Sequence, residues 1–193
     1  MSYTPKILAF AGSTRKESFN KKLVKIAADA ARAAGAQVTY VDLRDLPMPL
    51  YDQDLETEQG IPENAKKFKA MLMEHDGFLI SAPEYNSSIS GVLKNAIDWA
   101  SRPLPGEAAL ACFAGKVVTL MSASPGALGG LRGLVTVRSL LSNIRVIVLP
   151  DQVAVPKAHE AFGPDNKLKE PKQHTSIEAL GRDLAATLVK LKG

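Results

Sequence analysis

Apolar positions along this chain fall into two alternating rhythms. Five short runs, Ile7–Ala11, Gln37–Asp42, Gly77–Ser81, Lys116–Met121 and Ile144–Leu149, read as strands. Between and after them, apolar residues recur at intervals of three and four, as on one face of a helix. Leu23, Ile26, Ala27, Ala30, Ala31 and Ala34 predict a helix that Gly35 stops. Pro62 opens a second helix, with Ala65, Phe68, Met71 and Leu72, and a third carries Leu93, Ala96, Ile97 and Ala100. A fourth spans Gly130 to Leu141, and Ile177, Leu180, Leu184, Leu188 and Leu191 mark a last helix that should close one face of a sheet. This alternation predicts βαβ units, hence an α/β fold with a doubly wound five-stranded parallel sheet in the order 2-1-3-4-5 and helices on both faces. Pro47–Gly60 and Val155–Thr175 break the rhythm and read as surface loops. No repeat or composition break divides the chain, so one domain is expected over residues 1–193.

Composition narrows the picture without changing it. A length of 193 residues suffices for one sizeable core, and 46% hydrophobic with 23% charged residues is ordinary for a globular chain. No run approaches the roughly 18 apolar residues of a membrane span, and the start lacks the apolar core and cleavage site of a secretory signal. The single cysteine, Cys112, can form neither an intrachain disulfide nor a cysteine cluster for zinc or iron–sulfur. Together these predict a cytoplasmic protein with no membrane association. His75, His159 and His174 lack metal-ligand spacing and any nucleophile motif, so no metal is expected. The net charge of +4 is spread along the chain with no aromatic-interleaved basic stripe, which argues against nucleic acid and suits anionic small molecules.

The candidate chemistry lies in loops after strands. After the first strand comes Gly12-Ser13-Thr14-Arg15-Lys16-Glu17-Ser18-Phe19-Asn20, and a helix follows. Loop amides and a helix N-terminus there point toward an anion, the hydroxyls add donors, and Arg15 offers a planar charged fork for phosphate oxygens. Neither G-x-G-x-x-G nor G-x-x-x-x-G-K-[ST] occurs, so a monophosphate suits the loop better than a dinucleotide or triphosphate. Read structurally, Gly12 is a turn residue and Ser18 a helix cap.

After the third strand comes Pro83-Glu84-Tyr85-Asn86, then Gly91-x-Leu93-Lys94-Asn95-Ala96-Ile97-Asp98-Trp99. With the order 2-1-3-4-5, this loop and the first flank the point where the sheet reverses direction, where open α/β sheets bind ligands. Taken with Gly12-Ser13-x-Arg15-x-x-Ser18-x-Asn20, these motifs resemble the flavodoxin-like NADPH-dependent FMN reductases, a group that includes bacterial chromate, quinone and azo-dye reductases. The likeness runs from the first strand through Arg138, about two thirds of the chain.

The resemblance implies that Gly12, Ser13, Arg15, Ser18, Phe19 and Asn20 hold the FMN phosphate and that Pro83, Glu84, Tyr85 and Asn86 line the isoalloxazine. It places Ser122, Ala123 and Ser124 of the fourth-strand loop beside the ring and makes Tyr85 and Asn86 the substrate contacts. Leu93, Ile97 and Trp99 need only core packing to explain them. Many relatives have proline where this chain has Ser90; serine can cap the following helix but predicts a looser loop. The implied activity is transfer of electrons from NAD(P)H through FMN to a small acceptor such as a quinone, chromate or other metal oxyanion, an azo compound or flavin. No catalytic side chain is required, because the flavin carries the chemistry. A flavodoxin-type electron carrier is the alternative, although such carriers are usually acidic. The resemblance also implies a homodimer or homotetramer.

Overall fold

A computed structural model describes residues 3–192; Met1, Ser2 and Gly193, included in the expected 1–193 domain, lie outside them. The chain runs β1 (Lys6–Ala11), α1 (Phe19–Ala33), β2 (Gln37–Asp42), α2 (Gln53–Gln59), α3 (Glu63–Glu74), β3 (Gly77–Ser81), β4 (Glu84–Tyr85), β5 (Ser88–Ile89) and α4 (Gly91–Ser101). It continues through β6 (Val117–Ala123), α5 (Leu131–Asn143), β7 (Ile147–Val155), α6 (Ala158–Ala161) and α7 (Pro171–Lys192). Five parallel strands pair in the order β2-β1-β3-β6-β7, the expected 2-1-3-4-5 of a flavodoxin-like sheet, and β4 with β5 forms a separate hairpin.

Strand side chains alternate between two faces. Leu8, Phe10, Phe78, Ile80, Val118 and Leu120 pack against α3, α4 and α5, while Ile7, Ala9, Leu79, Val117 and Met121 pack against α1 and α7. The α1–α7 layer is close because Gly181 has no side chain: a Cβ there would lie 2.0 Å from the carbonyl oxygen of Ala27. At the opposite end of the sheet from the loops, Asp76 accepts from Tyr3, Lys192 and the Lys6 N–H, tying both ends of the described chain to β3. Cys112 is buried, donates to the Ala100 carbonyl at 3.2 Å, and burial pushes its thiol up to about 11.

Four expectations need correction. The last strand is Ile147–Val155, not Ile144–Leu149, because Ile144 ends α5 and Arg145 takes a left-handed turn at φ 68°. The strand then passes through Pro150, where the register slips from Val118↔Val148 to Leu120↔Gln152, a bulge on an edge strand that accommodates a residue without an N–H. The stretch Pro47–Gly60 contains α2, started by the Asp52 carboxylate accepting from Asp54 and Leu55 N–H groups. Within Val155–Thr175, β7 ends at Val155, α6 forms, Phe162 bridges to Leu168, and α7 begins at Pro171, so much of that loop is folded. Finally, the predicted strand Lys116–Met121 lies two residues later at its end, which puts Ser122 and Ala123 in β6.

Candidate cofactor site

The first loop leaves β1 at Gly12, whose N–H donates to the Ser81 carbonyl at 2.9 Å. A Cβ on Gly12 would sit 2.7 Å from the Leu93 Cβ, so only glycine lets this loop lie against α4. Ser18 stands at the N-cap position of α1 but makes no side-chain cap bond, which leaves its hydroxyl uncommitted. Among the described residues, the N–H groups of Ser13, Ser18, Phe19 and Asn20 also have no acceptor. The exposed Arg15 side chain has no protein partner among the described residues. Free donors and a free cation thus gather at the N-terminus of a 15-residue helix, the arrangement that binds an anion.

Asn20 has a different task. Its Nδ2 donates to the Ala123 carbonyl at 2.8 Å, while its Oδ1 accepts from the Ala123 N–H at 3.0 Å and from the Ser81 hydroxyl at 2.8 Å. The side chain therefore bridges the ends of β3 and β6 and aligns the loops that follow them. Ser81, fully buried, was not legible as part of this link from the sequence.

The loop after β3 forms the β4–β5 hairpin, with Asn86 at φ 51° and Ser87 at φ 66° in its two-residue turn. Positive φ at both turn residues matches the twist of a tight hairpin, and asparagine tolerates it better than most residues. Glu84 anchors the hairpin to α5, accepting from Arg132 Nε at 3.0 Å and Nη2 at 2.7 Å and from the Gly133 N–H at 3.1 Å. Burial acts to raise the Glu84 pKa, but the Gly133 and Arg132 hydrogen bonds and the Arg132 charge together outweigh it and hold the carboxyl below its usual range. The anchor is accordingly present at neutral pH and is lost as pH falls through that lowered value. Arg132 is thereby paired within the chain. Tyr85 projects from the hairpin at 54% exposure.

These elements enclose an open cleft of about 200 Å³. Ser13, Arg15, Ser18, Phe19 and Asn20 form one wall, Pro83, Glu84 and Tyr85 a second, and Ala123, Ser124 and Pro125 the third. Three expected contacts stand apart from the lining. Gly12 lies behind it, Asn86 is in the exposed hairpin turn, and Ser122 is buried beneath Gly130, where a Cβ would come within 2.0 Å of the Ser122 hydroxyl. The tail contributes a support that sequence reading missed: Phe162 stacks on Phe19 with ring centroids 5.9 Å apart and planes within 9°. The Ala158 N–H also donates to the Ser124 carbonyl at 3.0 Å. A larger groove of about 700 Å³ runs along α1, but its walls mix Lys16, Lys22 and Lys25 with Glu17, Asp29 and Glu178 and lack the loops after β3 and β6.

Ser90 caps α4 as expected, accepting from the Leu93 N–H at 3.2 Å. It also donates to the Gly12 carbonyl at 2.5 Å, a tie that holds its loop where a looser one was expected.

A doubly wound parallel sheet in this order, with its reversal-point loops gathered around one cleft, defines a flavodoxin-like fold. The sequence carries the family signature: residues 5–160 match the NADPH-dependent FMN reductase model, and the chain belongs to that family. It is an oxidoreductase with FMN as cofactor and NAD(P)H as electron donor. A quinone reductase of Pseudomonas putida is 40% identical over 73% of this chain and 72% of its own length. An NAD(P)H-dependent FMN reductase of Pseudomonas aeruginosa is 32% identical over the whole of both chains. Among solved structures, the flavoenzyme NAD(P)H:(acceptor) oxidoreductase FerB of Paracoccus denitrificans matches with a TM-score of 0.80 at 26% identity, covering 97% of this chain and 98% of that one. No helix among the described residues is long and apolar enough to cross a membrane.

Proposed function

We propose that this chain passes electrons from NAD(P)H, by way of FMN seated in the cleft, to a quinone. The observation that carries the reading is the convergence of the free first-loop donors with the Pro83–Tyr85 and Ala123–Pro125 walls in one opening. In this reading Ser13, Arg15, Ser18 and the free N–H groups at the start of α1 hold the phosphate, and Phe19 braces that wall. Pro83, Glu84, Tyr85, Ala123 and Ser124 line the ring; Asn86 shapes the turn that presents Tyr85, and Gly12 and Ser122 support their loops from behind. When bound, FMN supplies the capacity to accept a hydride from a nicotinamide and to return its electrons to an acceptor. The protein's own part is to bind, orient and leave one face open.

A flat apolar acceptor suits an opening rimmed by Tyr85, Pro83 and Pro125, and relatives named as quinone reductases support that choice. For chromate or another oxyanion the rim offers less, because Arg132 is already paired with Glu84. The net charge of +4 argues against a carrier that docks on protein partners through an acidic surface. Exposed Leu128, just before α5, and exposed Leu131 and Val135 in its first turns support a homo-oligomer.

Direct mixing tests this function. The purified protein should show a flavin absorbance spectrum that NADPH bleaches and a benzoquinone restores. A protein that binds FMN yet is not reduced by NADPH or NADH would overturn the reading in favour of an electron carrier.

Two further outcomes follow from the single opening. Nicotinamide and quinone must both come within van der Waals reach of the same exposed surface, so they exclude one another. Steady-state double-reciprocal plots should therefore be parallel, and intersecting lines would refute the shared face. Tyr85→Ala should change KM or kcat for quinones by roughly three- to tenfold while leaving FMN affinity within about twofold, given what one aromatic contact contributes. Unchanged constants for NADPH and several acceptors would show that Tyr85 serves only the hairpin surface.

A further inference from the structure

We propose that Ser90 is a positioning residue for the cofactor phosphate, acting through the Gly12–Ser13 peptide. The inference rests on the proposed reading of the first loop as the phosphate site. Ser90 is 6% exposed and its hydroxyl is fully engaged. The proton goes to the Gly12 carbonyl at 2.5 Å, and a lone pair accepts the Leu93 N–H at 3.2 Å. One side chain thus fixes the start of α4 and the start of the first loop, 78 residues apart.

The peptide plane carries the effect onward. No cis bond occurs among the described residues, so the Gly12 carbonyl and the Ser13 N–H lie in one rigid trans unit and point in opposite directions. Holding the carbonyl toward Ser90 and α4 turns the Ser13 N–H the other way. Ser13 lines the cleft, and its N–H has no acceptor among the described residues. Without a side chain, Gly12 has a wide range of ψ, the torsion that turns this peptide, even though its own N–H is held by the Ser81 carbonyl at 2.9 Å. The Ser90 hydroxyl removes that freedom and presents a preoriented donor to the anion, as a phosphate-binding loop requires. Thr14 and Arg15 follow directly, so the same bond sets where the Arg15 fork begins.

The same hydroxyl could instead serve only to start α4, and the two roles separate experimentally. FMN and riboflavin, which lacks the phosphate, are titrated by fluorescence against the parent and against Ser90→Ala, Ser90→Thr, Ser90→Pro and Arg15→Ala. Proline fits the Ser90 φ of −67° and a helix start, so it preserves the backbone while removing the hydroxyl. Ser90→Ala and Ser90→Pro should weaken FMN about five- to tenfold, the loss of roughly one hydrogen bond, and leave riboflavin within about twofold. Ser90→Thr should restore FMN binding. Equal losses for FMN and riboflavin, or parental FMN affinity in both hydroxyl-free variants, would overturn the proposal. If Ser90→Ala does not fold, the proline variant carries the same comparison. Arg15→Ala distinguishes the two layers of the argument. Selective FMN loss there, with none in the Ser90 variants, refutes the positioning role and leaves the phosphate site standing, whereas no selectivity in any variant refutes the phosphate site itself.

Discussion

Arg15→Ala should weaken FMN binding by about 10- to 100-fold while leaving the fold unchanged. A charge-assisted fork to phosphate contributes on the order of 1.5–3 kcal/mol once the ligand shields it from water. The protein itself does not depend on the side chain: Arg15 is exposed, and among the described residues its only hydrogen bond is from its backbone N–H to the Ser13 hydroxyl at 3.3 Å, while its guanidinium has no partner. Thermal midpoints of the cofactor-free parent and variant should therefore agree within about two degrees, given that surface changes away from contacts typically stay within roughly 0.5 kcal/mol. Arg15→Lys should recover only part of the loss, because a lysine keeps the charge but not the planar two-point geometry. Equal FMN affinities for parent and Arg15→Ala, measured by fluorescence titration, would remove the phosphate from the first loop.

The opposite pattern is expected at Gly181→Ala, where stability falls first. A Cβ at Gly181 would lie 2.0 Å from the Ala27 carbonyl oxygen, 2.9 Å from the Ala27 carbonyl carbon and 3.0 Å from the Ala31 nitrogen. All three are backbone atoms of α1, so no side chain can rotate aside. The helices must separate, opening the layer built from Leu23, Ala27, Ile177 and Leu184. Overpacking of this kind costs about 3 kcal/mol, which for a domain of this size lowers the midpoint by roughly 6–12 °C. Because α1 begins at Phe19 and carries Asn20, its displacement should also weaken FMN. A calorimetric midpoint within a degree or so of the parent would mean that the two helices lie farther apart than described.

Much of this architecture was legible because its elements repeat. The apolar runs located four of the five sheet strands to within two residues at either end, and Gly35, at φ 90°, ended α1 where its lack of a side chain predicts. The fifth strand was misplaced because Ile144 and Val146 extend an apolar run backward while Pro150 and Asp151 mask the strand's continuation. Helix α2 buries no residue and so leaves no periodicity to find; the Asp52 cap was its only local signal. The hairpin of residues 84–89 lacks the Asn-Gly pair that usually announces such a turn. For the site, the two loops were readable as motifs, but the bonds that join them were not. Asn20 to Ala123, Ser90 to Gly12 and Phe19 to Phe162 link positions 103, 78 and 143 apart, and no local pattern encodes such a meeting.

The slip in β7 bears on how copies of this chain can assemble. An uninterrupted outer strand would offer a regular ladder of amides on which a neighbouring chain could template a continuous intermolecular sheet. Here Pro150 supplies no donor, the register breaks between Val148 and Gln152, and Arg138 occupies the Pro150 carbonyl at 3.2 Å and the Gln152 side chain at 3.0 Å. That border of the sheet is closed to strand exchange. Self-association is thereby steered toward side-chain surfaces that fit only a properly folded partner, and a crowded or heated solution meets one fewer seed for fibrous aggregation.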